Sequence, residues 1–445
     1  MRICVVGTGY VGLVTGTCFA ENGHTVFCVD IDQAKIDGLQ NNKLPIYEPG
    51  LEELVSSNQR FGRLNFTTDL AGALDHAEVV FIAVGTPQAD DGSANLKYVW
   101  AVANDIRENA KDSKVVVIKS TVPVGTNAGL LERLNSGSIQ HYGASNPEFL
   151  REGLAVDDCM NPERVVIGIR DQHTEDTLRE LYAPYTAIGV PLLLMGPESA
   201  EMTKYVANCL LASRISFMNE MANLCERVGA DVTQVREGIG MDSRIGPKFL
   251  NPGAGYGGSC FPKDTRALMA LARDNGVELR ILPEVDQVNE EQKQRFFEKL
   301  STTVGDLNGA TIGIWGLAFK PQTDDIREAP ALLTIQNLLD AGAVVRVYDP
   351  EATENVRTIF GDKITYCEDM YAVLDDASAL AILTEWEQFE RPDFDEIHNR
   401  LAAPVIVDGR NMYEPTRMAR LGFTYNSVGR QVVAPLNAAV EANEV

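Results

Sequence analysis

Basic charge is the first scarcity. The 445-residue chain sets 39 lysines and arginines against 63 acids, a net charge of −24. That balance argues against nucleic acid or an anionic membrane as a partner, because both need a broad basic face. Long apolar runs are missing too: nothing approaches the roughly 18–20 residues that cross a bilayer. The opening RICVVGTGYVGLV is cut by glycines and followed by no small-residue cleavage site, so a secretion signal is not expected and a cytoplasmic location is. Histidines number five, in unrelated contexts. The eight cysteines (4, 18, 28, 159, 209, 225, 260 and 367) form no C-x-x-C pair, and no histidine stands at ligand spacing from them. Reduced thiols are therefore expected over disulfides, and no metal.

What is present is a soluble globular composition, 45% hydrophobic and 23% charged, in a chain long enough for roughly two to four domains. The first third reads as apolar strand, glycine turn, helix, then a second strand closing at Asp30. Gly7, Gly9 and Gly12 make a G-x-G-x-x-G, a pattern that in isolation marks only a tight turn. After a strand, before a helix and about twenty residues ahead of an acid, it is a dinucleotide signal. Gly7 permits the turn, Gly9 lets a pyrophosphate approach, and Gly12 lets helix and strand pack, with the phosphates at the helix N-terminus. Asp30 would accept hydrogen bonds from the adenosine ribose and repel a 2′-phosphate, favouring NAD over NADP. Lys35 is either a solvated helix charge or a second group at that ribose.

Two further buried strands, AEVVFIAVGTP and SKVVVIKSTVPVGT, place Gly85, Thr86, Pro87, Ser120 and Thr121 where open parallel sheets gather ligands. From Ser199 to about Val228 there is no Pro or Gly, which predicts one long helix and a natural dimer surface. Lys204 and Asn208 stand i, i+4 and share a face.

The stretch from Gly238 to Cys260 holds seven glycines and ends in GYGGSCFPKD. Such a loop can press backbone amides against a ligand. Pro262 suits a first helical turn, so Cys260 is expected just ahead of a helix N-terminus with Lys263 beside it. An unperturbed thiol is only a few per cent ionised at neutral pH, and a fall of about 1.5 pKa units, worth ~2 kcal/mol, would ionise about half. The residues leave two readings of Cys260 open: a reactive thiol, or a small buried hydrophobe at a turn.

After STTVGDLNG a strand–helix–strand pattern restarts, but Gly313 and Gly316 do not repeat the dinucleotide spacing, so a second NAD is not expected there. The fold class expected overall is α/β, with two Rossmann-like doubly wound parallel sheets joined by a long central helix and a helical middle. The expected division is 1–196 for NAD, 197–300 for dimerisation and the cysteine loop, and 301–445 for the substrate nucleotide.

Six segments in order, VVGTGYVGLVTG, PIYEPGLEELV, KSTVPVGT, NPEFLREG, GYGGSCFPKD and GLAFKPQTDDIREAP, resemble the UDP-glucose/GDP-mannose dehydrogenase family over essentially the whole chain. The resemblance implies oxidation of a sugar C6 alcohol to a carboxylate by two NAD⁺, through a cysteine thioester. It implies UDP-glucose as substrate, with GDP-mannose or a UDP-N-acetylhexosamine as alternatives, and a homodimer or higher homo-oligomer. Cys260 matches the nucleophile, Lys204 and Asn208 the oxyanion-stabilising pair, and Asp264 the residue positioning a water and the lysine. Glu148 matches the base for thioester hydrolysis and Thr121 a water holder. Tyr10, Val11, Thr86, Glu152, Lys263 and Arg327 match positions near NAD. Glu148, Phe149, Leu150, Arg151, Phe249, Leu250, Asn251, Gly253 and Gly257 match the substrate surface, as do Phe319, Lys320 and Arg410. Arg244 matches an arginine reaching across a dimer interface. Taken without the resemblance, Lys320 and Arg410 read more readily as surface ion-pair partners. Two other readings, a two-electron hydroxyacid dehydrogenase and a non-catalytic NAD sensor, leave Cys260 without a purpose.

Overall fold

A computed structural model of the chain describes residues 1–436; the end of the expected third region, 437–445, lies outside the described residues. The chain divides into two compact units, Met1–Ala207 with Arg266–Glu278, and Asn208–Thr265 with Leu279–Val445.

The first unit is built on eight strands: β1 (Arg2–Val6), β2 (Thr25–Val29), β3 (Leu64–Thr67), β4 (Val79–Ile82), β5 (Val115–Ile118), β6 (Tyr142–Ser145), β7 (Val165–Gly168) and β8 (Leu192–Met195). Their order is β3-β2-β1-β4-β5-β6-β7-β8, parallel throughout except for the β6–β7 pair. The runs VVFI and VVVI carry no polar residue because both sheet faces are covered. Alternate residues enter different cores: Ile3, Val5, Val79, Phe81, Val115 and Val117 pack on one side, and Cys4, Val6, Val80, Ile82, Val116 and Ile118 on the other. The chain reverses its winding direction between β1 and β4, and the carboxyl ends of β1, β4 and β5 lead into Gly7, Ala83 and Lys119, at the edge where such sheets bind ligands.

Among the described residues the second unit holds six parallel strands, β9 (Thr311–Trp315), β10 (Val344–Tyr348), β11 (Thr365–Tyr366), β12 (Ala379–Ile382), β13 (Val405–Asp408) and β14 (Thr424–Ser427). Their order, β11-β10-β9-β12-β13-β14, repeats the winding of the first six strands. The α/β class and the two parallel sheets expected from the sequence are both present. So is the long helix, which spans Pro197–Val228. A second long helix, Ile281–Val304, belongs to the second unit. No helix among the described residues is long and apolar enough to cross a membrane.

Candidate active site

The dinucleotide turn is formed as the glycines require. Gly7 has φ +101° and donates its amide to Val29 O at 2.7 Å. A Cβ on Gly12 would collide with the Gly7 carbonyl, whereas one on Gly9 or Gly85 would meet no atom within 4 Å. That combination, tight packing behind and open space in front, fits a dinucleotide whose phosphates face the start of helix Tyr10–Glu21. Asp30 Oδ2 accepts from the Thr8 amide (2.9 Å) and hydroxyl (2.7 Å), and Oδ1 from the Asp32 amide (3.1 Å). Burial raises its pKa, but these donors and Lys35 outweigh it and hold the carboxyl below its ordinary value. Lys35 Nζ lies 3.3 Å from Asp30 Oδ2, so its contact is with the carboxylate itself. Thr86 Oγ1 donates to Thr121 O at 2.8 Å, which brings together two threonines that the sequence placed at the ends of different strands.

Beyond β6, Glu148 is buried and paired with buried Lys204 at 2.8 Å. Glu148 also accepts from the Leu150 amide at 2.6 Å. Burial pushes the Glu148 carboxyl up, yet Lys204, the Leu150 amide and Lys119 together bring it below its ordinary value, so it stands ionised. Lys119, at the mouth of β5, was not singled out from the sequence. Burial lowers its pKa, and its ammonium donates to Asn146 Oδ1 at 3.0 Å. The available signal was a lone lysine closing the apolar run VVVI. Phe149 is stacked by Arg164, 3.7 Å above its ring. Arg151 grips Asp158 through its amide (2.8 Å) and guanidinium, closing the segment on itself. Glu152 is buried.

The expected helix begins at Phe261, directly after Cys260, and runs to Asp274. Cys260 is half-buried, with Ser259 Oγ 3.5 Å from its sulfur, and its carbonyl opens the helix by accepting from the Asp264 amide at 2.8 Å. Asp264 is buried and takes Asn208 Nδ2 on one oxygen and Lys263 Nζ on the other, both at 2.6 Å. Asn208 is thus oriented by the residue four positions beyond the cysteine.

The glycine loop makes its close approaches to the chain itself. A Cβ on Gly257 would strike the Glu328 carbonyl, and one on Gly258 would lie 2.8 Å from the Phe319 ring. Gly253 donates to Asn219 Oδ1 (2.8 Å) and accepts from Gln292 (2.7 Å), while the Tyr256 backbone exchanges two bonds with Asn289. Phe249 sits at φ +61°, and Leu250 is buried. Asn251 is held by Arg236. Arg410 is largely buried; it donates to Leu383 O (2.7 Å) and Phe319 O (3.1 Å), and Glu385 lies 3.2 Å away. Lys320 Nζ lies 5.9 Å from the Phe319 ring centre. Arg327 and Arg244 are exposed and contact their near neighbours Asp325 and Asp242, each at 2.6 Å. No disulfide, and no cluster of side chains suited to a metal, occurs among the described residues.

Residues 1–186 match the NAD binding domain, 198–291 the central domain and 313–415 the UDP binding domain of the UDP-glucose/GDP-mannose dehydrogenase family. The chain belongs to that family. Within the UDP-glucose/GDP-mannose dehydrogenase family, it is similar to the UDP-glucose 6-dehydrogenase of Pseudomonas aeruginosa, 48% identical over 97% of this chain and 98% of the relative. A UDP-glucose 6-dehydrogenase of Bacillus subtilis is 47% identical over 97% of this chain and 94% of its own length. Among solved structures, a UDP-glucose dehydrogenase from Pyrobaculum islandicum superposes with a TM-score of 0.88 at 41% identity, covering 96% of this chain and 97% of that one. The NAD-binding match carries the glycine turn, Asp30 and Glu148; the central match carries Lys204, Asn208, Cys260 and Asp264; the UDP-binding match carries Phe319, Lys320 and Arg410.

Proposed function

We propose that the chain oxidises the C6 hydroxyl of UDP-glucose to the carboxylate of UDP-glucuronate, an NAD-dependent four-electron reaction. Its support is the near-complete coverage by relatives that bear the UDP-glucose 6-dehydrogenase name, together with the residues just described. The observation that carries the four-electron reading is Cys260 at the mouth of a helix whose first turn holds Asp264 against Asn208.

Two NAD⁺, bound one after the other at the glycine turn, would supply the hydride acceptors, one for each oxidation. Lys204 and Asn208, one helical turn apart, hold the alkoxide that develops as the hydroxyl proton leaves through a water positioned by Asp264. A bare aldehyde surrenders a second hydride poorly. Cys260 thiolate therefore adds to the C6 carbonyl, forming a carbon–sulfur bond and a tetrahedral alkoxide held by the same ammonium and amide. Loss of hydride from that carbon leaves a thioester on Cys260. Glu148 takes a proton from a water held near Thr121; the hydroxide adds to the thioester, the carbon–sulfur bond breaks, and the thiolate is restored. One sugar thus consumes one water and yields two NADH. Glu148 is suited to this work because Lys204 and the Leu150 amide keep it ionised. Its depressed pKa makes it a weak base until Lys204 turns to the substrate oxygen.

Phe319, Lys320 and Arg410 face the nucleotide in this reading. Arg244, exposed, reaches toward a second copy, and a homodimer is supported by Leu210, Phe217 and Leu224, which stand exposed at seven-residue spacing on the long helix. A reducing, cytoplasmic compartment belongs to the same reading, because the thiolate is the reacting form. The test is NADH released per sugar with UDP-glucose, GDP-mannose and UDP-N-acetylglucosamine side by side. Two per UDP-glucose, with little from the others, is expected; one per sugar would make this a two-electron enzyme, and faster turnover of another sugar would reassign the substrate.

A further inference from the structure

The segment PIYEPGLEELV contributes nothing to the chemistry above, yet Glu48 within it is buried. Its carboxylate collects three hydrogen bonds from two distant parts of the first unit. Oε2 accepts from the Tyr10 hydroxyl and from the Gly153 amide (2.6 Å), and Oε1 from the Ala155 amide (2.7 Å). The Gly153 amide also lies 3.1 Å from the Tyr10 hydroxyl, closing a triangle. Tyr10 is the first residue of the helix whose N-terminus faces the dinucleotide phosphates. Gly153 and Ala155 end the segment that begins at Glu148 and is fastened on itself by the Glu148–Leu150 and Arg151–Asp158 contacts. Burial and the adjoining Glu48 push the Tyr10 phenol far above its ordinary pKa, so it stays a donor.

A buried carboxylate with every partner contributed by other segments fixes the distance between them, because a shift at either end leaves a donor unpaired. We propose that Glu48 is a positioning residue that links occupancy of the dinucleotide turn to the placement of segment 148–155, and through it of Glu148. This rests on the functional reading above. Cofactor phosphates settling on the first turn of helix Tyr10–Glu21 steady Tyr10; Tyr10 and Glu48 then steady the Gly153 and Ala155 amides. Glu148 is thereby set before the sugar's thioester needs its water.

The test uses Glu48→Gln in the full chain, read by hydrogen exchange with and without NAD and by steady-state kinetics with UDP-glucose. The amide group of Gln keeps the volume but turns an N–H₂ toward a backbone donor. In the parent, NAD should slow exchange of amides in 148–158; in the variant NAD should still bind but leave that segment unslowed. At saturating NAD and UDP-glucose, kcat should fall on the order of tenfold with KM for UDP-glucose little changed. Tyr10→Phe, which removes one donor and keeps the ring, should show the same loss in part, and decides the matter if Glu48→Gln does not fold. Equal NAD-dependent slowing in parent and variants, or a lowered melting temperature with unchanged kcat, would make Glu48 a fold-stabilising contact only and overturn the proposal. A parent that binds no NAD would sink the functional reading and this proposal with it, an outcome the parent control separates from the others.

Discussion

Gly7 and Gly316 occupy the same place in two sheets of the same winding, with φ +101° and +92° and amides donated to Val29 O and Tyr348 O at 2.7 and 2.9 Å. Each is followed across the sheet by an acid just past the neighbouring strand, Asp30 after β2 and Asp349 after β10. There the likeness stops. Asp30 is only partly enclosed and takes Thr8, Asp32 and Lys35. Asp349 is buried and takes five donors: the amides of Leu317, Ala318, Glu351 and Ala352, and the Trp386 indole at 3.0 Å. The helix that follows Gly7 starts at Tyr10, whereas the one after Gly316 waits until Pro330. In the first unit a helix N-terminus and an accessible acid are left to a ligand. In the second the acid is spent on the fold, and Phe319, Lys320 and Arg410 stand in the intervening loop and beside it. One topology thus opens a helix directly after the glycine turn in one unit and places a loop carrying Phe319 and Lys320 there in the other.

The largest way to sharpen this contrast is Cys260→Ala, since the thiol belongs to the second unit and the glycine turn to the first. Uronate formation should fall by on the order of 10³-fold or more while NAD binding, followed by fluorescence titration, stays intact. Next comes Asp349→Ala. It strands five donors, four of them in buried bonds, and should cost roughly 3 kcal/mol or more in urea unfolding, with NAD affinity little changed. An equal loss of NAD affinity would erase the distinction between the two acids. Asp30→Ala should lower the preference for NAD over NADP about tenfold, measured as a ratio of kcat/KM values, because a charged acceptor for the ribose is gone. An unchanged ratio would return Asp30 to the role of Asp349.

The smallest effect is on acid stability. Glu148 has a folded pKa below its ordinary carboxylate value, so the folded state favours the ionised form. Its contribution is present above the unfolded pKa, about 4.3, and is lost as pH falls through the lower folded value. Glu148→Gln should therefore be less stable than the parent at neutral pH, and the gap in melting temperature should narrow below about pH 4. A gap constant with pH would deny the Lys204 pairing that keeps Glu148 ionised.

Much of this was legible in the residues. Strands buried on both faces read as unbroken apolar runs, VVFI and VVVI among them, and the helix Pro197–Val228 announced itself by lacking glycine and an internal proline. Pro262 fixed the helix start beside Cys260. What stayed hidden was pairing over distance. Asn208 meets Asp264 across 56 positions, and Glu48 meets the Ala155 amide across 107; no local spacing encodes either. The glycine loop was legible only in part, since small residues signal a close approach without saying to what. Here Gly257 and Gly258 make room for Glu328 and Phe319 of the same chain. Lys119 escaped notice because a lysine closing a strand usually reaches water, and only the fold shows that this one is half-buried, bound to Asn146 and close enough to Glu148 to interact with it.

The most direct test is acid-quench mass spectrometry of the protein during turnover of UDP-glucose, with peptide mapping across Phe249–Asp274. An acyl adduct of the nucleotide sugar should appear on Cys260, and should accumulate when Glu148→Gln slows its hydrolysis. Full conversion to uronate with that cysteine never found acylated, even in the slowed variant, would contradict the account.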